Sequence, residues 1–350
     1  MKAALWYNQK DIRIEDIPEP VIQPGTVKIE VKWAGICGTD LHEYLAGPIF
    51  IPKETPHPLT NEVAPVVLGH EYAGVVTEVG EGVEHLAVGD RVCVEPIYAC
   101  GKCPQCKAGR YNECPNLGFH GLAGGGGGFS EYTVFDAEKV FKIPDEMTFE
   151  QGALVEPTAV AVHAVRQSKL KAGDRIAVFG AGPIGLLTVL AAKAGGASEI
   201  YVVELSEERK QIARELGVTA VIDPRETDAV QEINRLTNGG VDIAFEVTGV
   251  DVVLNNAIES TVYGGQTVIV SVWEGKANIL PNMLVLAERE IKGILAYRDI
   301  FPAVIKLISS GQIPAEKLIT KKIKLDDLVE EGFEALVREK NHVKILIQPN

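Results

Sequence analysis

Two groups of metal-ligating residues lie about sixty residues apart in this 350-residue chain, and their chemistry differs. The first begins with Gly35-Ile36-Cys37-Gly38-Thr39-Asp40-Leu41-His42 and continues with Gly69-His70-Glu71. It mixes sulfur, imidazole and carboxylate, a donor set that leaves a zinc ion one position open for a substrate. The second is Cys100-x2-Cys103-x2-Cys106-x7-Cys114. Four thiolates close a tetrahedral ion completely, so this group predicts a structural zinc lobe over about 96–116. Gly101 and Pro104 suit the turns that bring such close spacings around one ion. An iron–sulfur cluster is the main rival, but the Cys-Pro ending of bacterial ferredoxins follows a spacing of three residues and here it follows seven. Disulfides are the other rival.

A third motif, Gly180-Ala181-Gly182-Pro183-Ile184-Gly185, fits the dinucleotide fingerprint. It follows the apolar run Ile176–Phe179 and opens a helical pattern, the context that gives the match its meaning. Gly180 permits the tight turn, Gly182 lets backbone approach a pyrophosphate, and Gly185 lets helix and strand pack closely, with phosphate on the helix N-terminus. Glu204 stands nineteen residues after Gly185, at the end of the next strand. A carboxylate there accepts from both ribose hydroxyls and repels a 2′-phosphate, which predicts NAD rather than NADP. Arg209 lies close enough in sequence to offset part of that preference.

The surrounding patterns must position these groups. Residues 1–152 carry short alternating apolar runs bounded by Gly and Pro, such as Val27–Trp33, Tyr72–Val79 and Asp90–Val94. Period-two alternation predicts half-buried antiparallel strands and a small β-rich domain. Residues 153–297 alternate apolar strands with helical stretches, predicting a doubly wound parallel sheet. Residues 298–350 add helical patterns near Ala303–Ser309 and Asp326–Glu339 and a last strand at Val343–Ile347. The fold class is therefore α/β. Gly124–Gly128 predicts either a flexible loop or a close backbone approach. Gln266–Val272 could pair across subunits if it lies at a sheet edge.

Composition narrows the partners. The formal net charge is −14 and no long basic run exists, which argues against nucleic acid and anionic membranes. No stretch approaches the ~20 apolar residues of a membrane span, and the N-terminus turns polar at Asn8–Asp11, unlike a signal peptide. The expected setting is a reducing cytoplasm, where clustered cysteines are ligands. A small-molecule substrate is the expected partner. His57, His85, His120, His163 and His342 have no ligand-like spacing, and Cys93 sits within a strand pattern. Glu156, before Pro157 at a helix start, reads by itself as a favourable first-turn charge.

Taken in order, the segments at 35–42, 69–71 and 89–92, the cysteine lobe, Glu156-Pro157 and the glycine fingerprint resemble the zinc-dependent medium-chain dehydrogenases over the whole chain. His42–Pro52, His57–Glu62, Gly121–Ala123 and Tyr297–Pro302 resemble the branch acting on small vicinal diols. The resemblance implies a GroES-like catalytic domain at 1–152 and 298–350, interrupted by a Rossmann NAD-binding domain at 153–297. It implies two zinc ions, the catalytic one on Cys37, His70 and a carboxylate, with Glu156 the first choice and Glu71 the alternative. It implies reversible oxidation of a vicinal diol or secondary alcohol to a ketone, with Thr39 and His42 relaying the proton, in a homodimer or homotetramer. A polyol dehydrogenase of the sorbitol type would share every zinc and NAD residue. A non-catalytic zinc protein on the same fold would be expected to have lost ligands, and none is lost.

Overall fold

The computed structural model describes residues 1–273, 275–339 and 341–350. The chain divides into two compact units, one of Met1–Pro157, Arg298–Gly311 and Ile319–Asn350, the other of Thr158–Tyr297 and Gln312–Leu318. The expected second boundary at 298 misses the short return of Gln312–Leu318 to the second unit.

The first unit is built on a mixed seven-stranded sheet. Its centre is β1 (Thr26–Gly35), which pairs antiparallel with β2 (Glu71–Val79), with Tyr132–Asp136 and with the C-terminal strand Lys344–Gln348. Val27, Ile29 and Val31 alternate into the core from β1, as the period-two pattern predicts. Between β1 and β2 stands the helix α1 (Gly38–Ala46). Cys37 caps it, accepting the Thr39 N–H at 3.4 Å, while Asp40 Oδ2 accepts the Cys37 N–H at 3.0 Å. That is a capping box with sulfur in the role usually taken by a hydroxyl. It fixes Cys37 at the junction of strand and helix. β2 opens on Glu71, directly after His70, and its register places Glu71 opposite Gly35. The cysteine lobe leaves and returns through a two-residue ladder, Ile97–Tyr98 with Gly118–Phe119.

The second unit carries six parallel strands in the order Ala220–Ile222, Glu199–Val203, Arg175–Phe179, Val241–Glu246, Thr261–Ile269, Glu290–Gly293. Between β3 (Arg175–Phe179) and β4 (Glu199–Val203) runs the helix α2 (Pro183–Ala194). The central strands Arg175–Phe179 and Glu199–Val203 are apolar and buried after their first residue, as a sheet covered on both faces requires. Thr261–Ile269 has neighbours on both sides, so the condition for pairing across subunits there is not met, and the edge strand is Glu290–Gly293. Near the C-terminus the expected helix at 326–339 is broken into a 3₁₀ turn, a wide π-helical segment over Leu328–Glu334 and a short α-turn. The wide turn lays Gly332 against Ile36, where a Cβ would come within 2.8 Å, and Phe333 against Tyr44, with ring centroids 5.1 Å apart.

Candidate active site

Cys37, His70 and Glu71 converge, with one ligand atom from each lying within 4.8 Å of the others. The convergence follows from local structure: Cys37 ends β1, and His70 and Glu71 begin the strand beside it. Gly35 lies opposite Glu71 in the ladder between β1 and β2. Its missing Cβ makes room for Glu71, whose Oε2 would lie 2.2 Å from a Cβ there. Glu156 is buried in the first turn of the helix Val155–Gln167 and does not join this trio.

Two charged residues that sequence reasoning did not single out hold the trio in place. Asp40 is wholly buried, and its Oδ1 faces His70 Nδ1 at 3.4 Å. That is the carboxylate–imidazole pairing that orients metal-bound histidines. Lys344 is also buried, and its Nζ donates to Glu71 Oε1 at 2.9 Å, Glu71 Oε2 at 2.7 Å and the Ile36 carbonyl at 3.0 Å. All three ammonium protons are thereby satisfied. Each Glu71 oxygen keeps a second lone pair, so the ion pair does not prevent the carboxylate from meeting a metal.

The electrostatics favour a cation at this place. Burial by itself lowers the His70 pKa, but the negative charges of Asp40 and Cys37 overcome it and hold the imidazole well above its ordinary value. Burial likewise lowers Lys344, and Glu71, Cys37 and Glu156 overcome it. A zinc ion and the Lys344 ammonium would offset three of the four negative charges of Cys37, Asp40, Glu71 and Glu156. The donor set and its charge therefore fit a divalent metal.

Thr39 and His42 lie on α1 beyond Cys37. The Thr39 hydroxyl is 3.7 Å from Cys37 Sγ, and His42 is exposed on the next turn. Glu43, buried on the same helix, accepts the N–H groups of Ile49 at 3.0 Å, of Phe50, and of Ile51 at 3.2 Å. It thus ties the segment after α1 back onto the helix that carries Thr39.

In the second group, the four sulfurs of Cys100, Cys103, Cys106 and Cys114 lie within 4.8 Å of one another. All six cysteines are free thiols. Backbone N–H groups aim at the sulfurs: Cys103 at Cys100 and Cys106 at Cys103, each at 3.4 Å, and Cys100 at Cys114 at 3.3 Å. The N–H groups of Lys102 and Cys103 draw the Cys100 pKa down to about 6, while burial and the neighbouring thiols push Cys106 up to about 12. A thiolate cage of this kind fits a tetrahedral metal.

In the second unit, Gly180 has φ 102°, and Gly185 packs where a Cβ would meet the Gly180 oxygen at 1.9 Å. Gly182 caps α2 without a side-chain bond and has open space where its Cβ would be. The N-terminus of α2, with Pro183 and Ile184 in its first turn, thus has the shape and dipole to receive a phosphate. Glu204 is drawn over the same turn. Its Oε2 accepts the Ala181 N–H at 2.7 Å, and its Oε1 accepts Leu205 and Ser206 at 2.7 and 2.9 Å. Nearby, Arg209 Nε is buried without a hydrogen-bond partner among the described residues. These features fit a dinucleotide.

Comparison with known proteins agrees with both units. Residues 23–145 match the alcohol dehydrogenase GroES-like domain, and residues 183–310 match the zinc-binding dehydrogenase family. The chain is 64% identical to an (R,R)-butanediol dehydrogenase of Bacillus subtilis over the full length of both. It belongs to the zinc-dependent medium-chain dehydrogenases. A sorbitol dehydrogenase of Bacillus subtilis is 39% identical over all of this chain and 98% of that one. The crystal structure of 2R,3R-butanediol dehydrogenase from Bacillus subtilis superposes with a TM-score of 0.96, covering 100% of this chain and 99% of that one. As a dehydrogenase of this family the chain is an enzyme, α/β in fold, with a GroES-like unit and a Rossmann unit. No helix among the described residues is long and apolar enough to cross a membrane.

Proposed function

We propose that this dehydrogenase oxidises (R,R)-2,3-butanediol to acetoin with NAD and, in reverse, reduces acetoin and diacetyl. The observation that carries the reading is the intact trio Cys37, His70 and Glu71. The substrate is suggested by the 64% identical relative of that specificity.

The reading assigns the catalytic zinc to Cys37, His70 and Glu71, with Glu156 acting on Lys344 by its charge. Zinc bound there would act as a Lewis acid, making the alcohol hydroxyl acidic near neutral pH. Asp40 keeps the His70 ring in line. Thr39 takes the hydroxyl proton and His42, exposed to water, releases it. Gly182 and the N-terminus of α2 bind the pyrophosphate. Glu204 receives the adenosine ribose and excludes a 2′-phosphate, and Arg209 lies along the same edge. Support for a homodimer or homotetramer comes from Val272, Leu280, Val285 and Leu286, each at least 60% exposed, close in sequence to the edge strand. The clustered free thiols support a reducing cytoplasm as the setting.

NADH formation from each 2,3-butanediol stereoisomer and from sorbitol, before and after chelation, tests the reading. The (R,R) isomer should give the highest kcat/KM, and chelation should abolish turnover. A higher value with sorbitol, or with NADP in place of NAD, would overturn the substrate or the cofactor assignment.

The second zinc, on Cys100, Cys103, Cys106 and Cys114, is given a structural role because four thiolates leave no open position. Cys103→Ser should lower the zinc content by about one ion per chain and the melting temperature by roughly 5–10 °C. Unchanged metal content and melting would remove the structural zinc from the reading.

A further inference from the structure

The glycine run is a close approach, not a flexible loop. Gly124, Gly125 and Gly126 hold φ of 91°, 79° and 109°. A Cβ on Gly126 would lie 2.9 Å from His120 Nε2, and one on Gly128 would lie 2.7 Å from the Tyr72 side chain. The run is therefore wrapped around a buried His120, and side chains are excluded for lack of space rather than for mobility.

The protonation of His120 follows from its partners. Its Nε2 lies 3.0 Å from the Gly125 carbonyl and 3.2 Å from Thr133 Oγ1, and its Nδ1 lies 2.9 Å from the Tyr72 hydroxyl. A carbonyl can only accept, so Nε2 carries the proton. Nδ1 is then bare and accepts from Tyr72. Burial pushes the His120 pKa down to about 4, so the ring is neutral at working pH. One imidazole thus joins the glycine run to β2, one residue beyond Glu71.

The chain from Phe119 to Phe129 is also held against Leu68–His70. Gly128 N–H donates to the Gly69 carbonyl at 2.6 Å, and Phe129 N–H to the Leu68 carbonyl at 2.9 Å. A Cβ on Gly121 would meet the Gly69 oxygen at 2.1 Å. The Phe119 ring lies beside the His70 ring, with centroids 6.1 Å apart. From the outer side, Thr60 Oγ1 donates to the Ala123 carbonyl at 2.5 Å, and Glu62 Oε2 accepts the Gly125 N–H at 3.0 Å.

We propose that His120 is a positioning residue for the catalytic metal: its two ring nitrogens fasten the glycine run to Tyr72, and the fastened run fixes Gly69–Glu71 so that His70 meets the ion in one orientation. The inference rests on the reading of Cys37 and His70 as metal ligands. A histidine that only filled the core would affect melting but not the metal. One that positions His70 affects the metal selectively.

The test uses the intact enzyme loaded with zinc, and in parallel with Co(II), whose visible absorption reports ligand geometry. His120→Phe fills the same space without either hydrogen bond. It should release the zinc that Cys37→Ser lacks some 10–100-fold faster than the parent, while the other zinc leaves at the parent rate. The Co(II) bands should shift, and KM for NAD should not change. His120→Gln, which can still donate toward Gly125, should restore part of the release rate. Tyr72→Phe, which removes one oxygen, gives the same selective effect at about tenfold if His120→Phe fails to fold. Should Cys37→Ser keep both zinc ions, the metal assignment itself fails. Should Cys37→Ser lose one while the His120 and Tyr72 variants keep parental release rates and Co(II) spectra, the positioning role is overturned.

Discussion

Cys37→Ser should give a folded protein that still binds NAD, carries one zinc fewer per chain and turns over on the order of 10³-fold more slowly or worse. The fold should survive because serine is among the preferred helix caps, and Cys37 caps α1 through its sulfur. A serine Oγ can take the Thr39 N–H, and the backbone N–H of residue 37 can still donate to Asp40. The metal should not survive, because a serine hydroxyl is not deprotonated near neutral pH and a thiolate anchor is lost. A Lewis acid at the alcohol is worth several kcal/mol, and each 1.36 kcal/mol is tenfold in rate. Metal analysis, a melting curve, an NAD titration and a turnover assay on one preparation check all four statements. Turnover within tenfold of the parent would move the chemistry away from Cys37.

The arrangement of ligands around Cys37 was legible where spacing and local rules act. The glycine fingerprint between β3 and α2, Glu204 at the end of β4 and the four close cysteines all lie where their spacing implied. Each depends on residues near one another in sequence. Lys344 was not legible, because its partner Glu71 lies 273 positions away and meets it only through the ladder joining Lys344–Gln348 to β1. A signal was present: a lysine in the apolar run Val343-Lys344-Ile345-Leu346-Ile347 is a candidate for burial, and a buried lysine needs an anion. Asp40 was more accessible still, since Cys37-x-x-Asp40 is the spacing of a capping box. The carboxylate question was harder. Both carboxylates stand in motifs, Glu71 in Gly69-His70-Glu71 and Glu156 before Pro157, and spacing cannot rank a residue beside the cysteine strand against one on a helix far along the chain; of the two, Glu71 lies with Cys37 and His70. Gly124–Gly128 left two meanings open because glycine alone does not say whether space is empty or full. His120, Tyr72 and Thr133, from three separate segments, fill it.

Lys344→Met should destabilise the zinc-free enzyme by about 3–5 kcal/mol, the loss expected when one partner of a buried pair is removed and the other stays charged. The pair has no solvent to fall back on, since Lys344 is 2% exposed and Glu71 0%. Without the ammonium, Glu71 keeps its charge against desolvation, or takes a proton at a cost of similar size. Removing the charge as well, in Lys344→Met with Glu71→Gln, should recover part of the loss, so the two effects should not add. The zinc-loaded enzyme tells more. If Glu71 ligates the metal, the ion replaces the lost ammonium as the carboxylate's counter-charge, and Lys344→Met should destabilise the loaded protein distinctly less than the chelated one. If Glu71 stands outside the ligand set, zinc protects it far less and the two losses converge. Denaturant unfolding of parent, single and double variants, each with zinc and with chelator, reads both quantities. A single variant as stable as the parent in both states would show that the buried ion pair does not hold this corner of the site together.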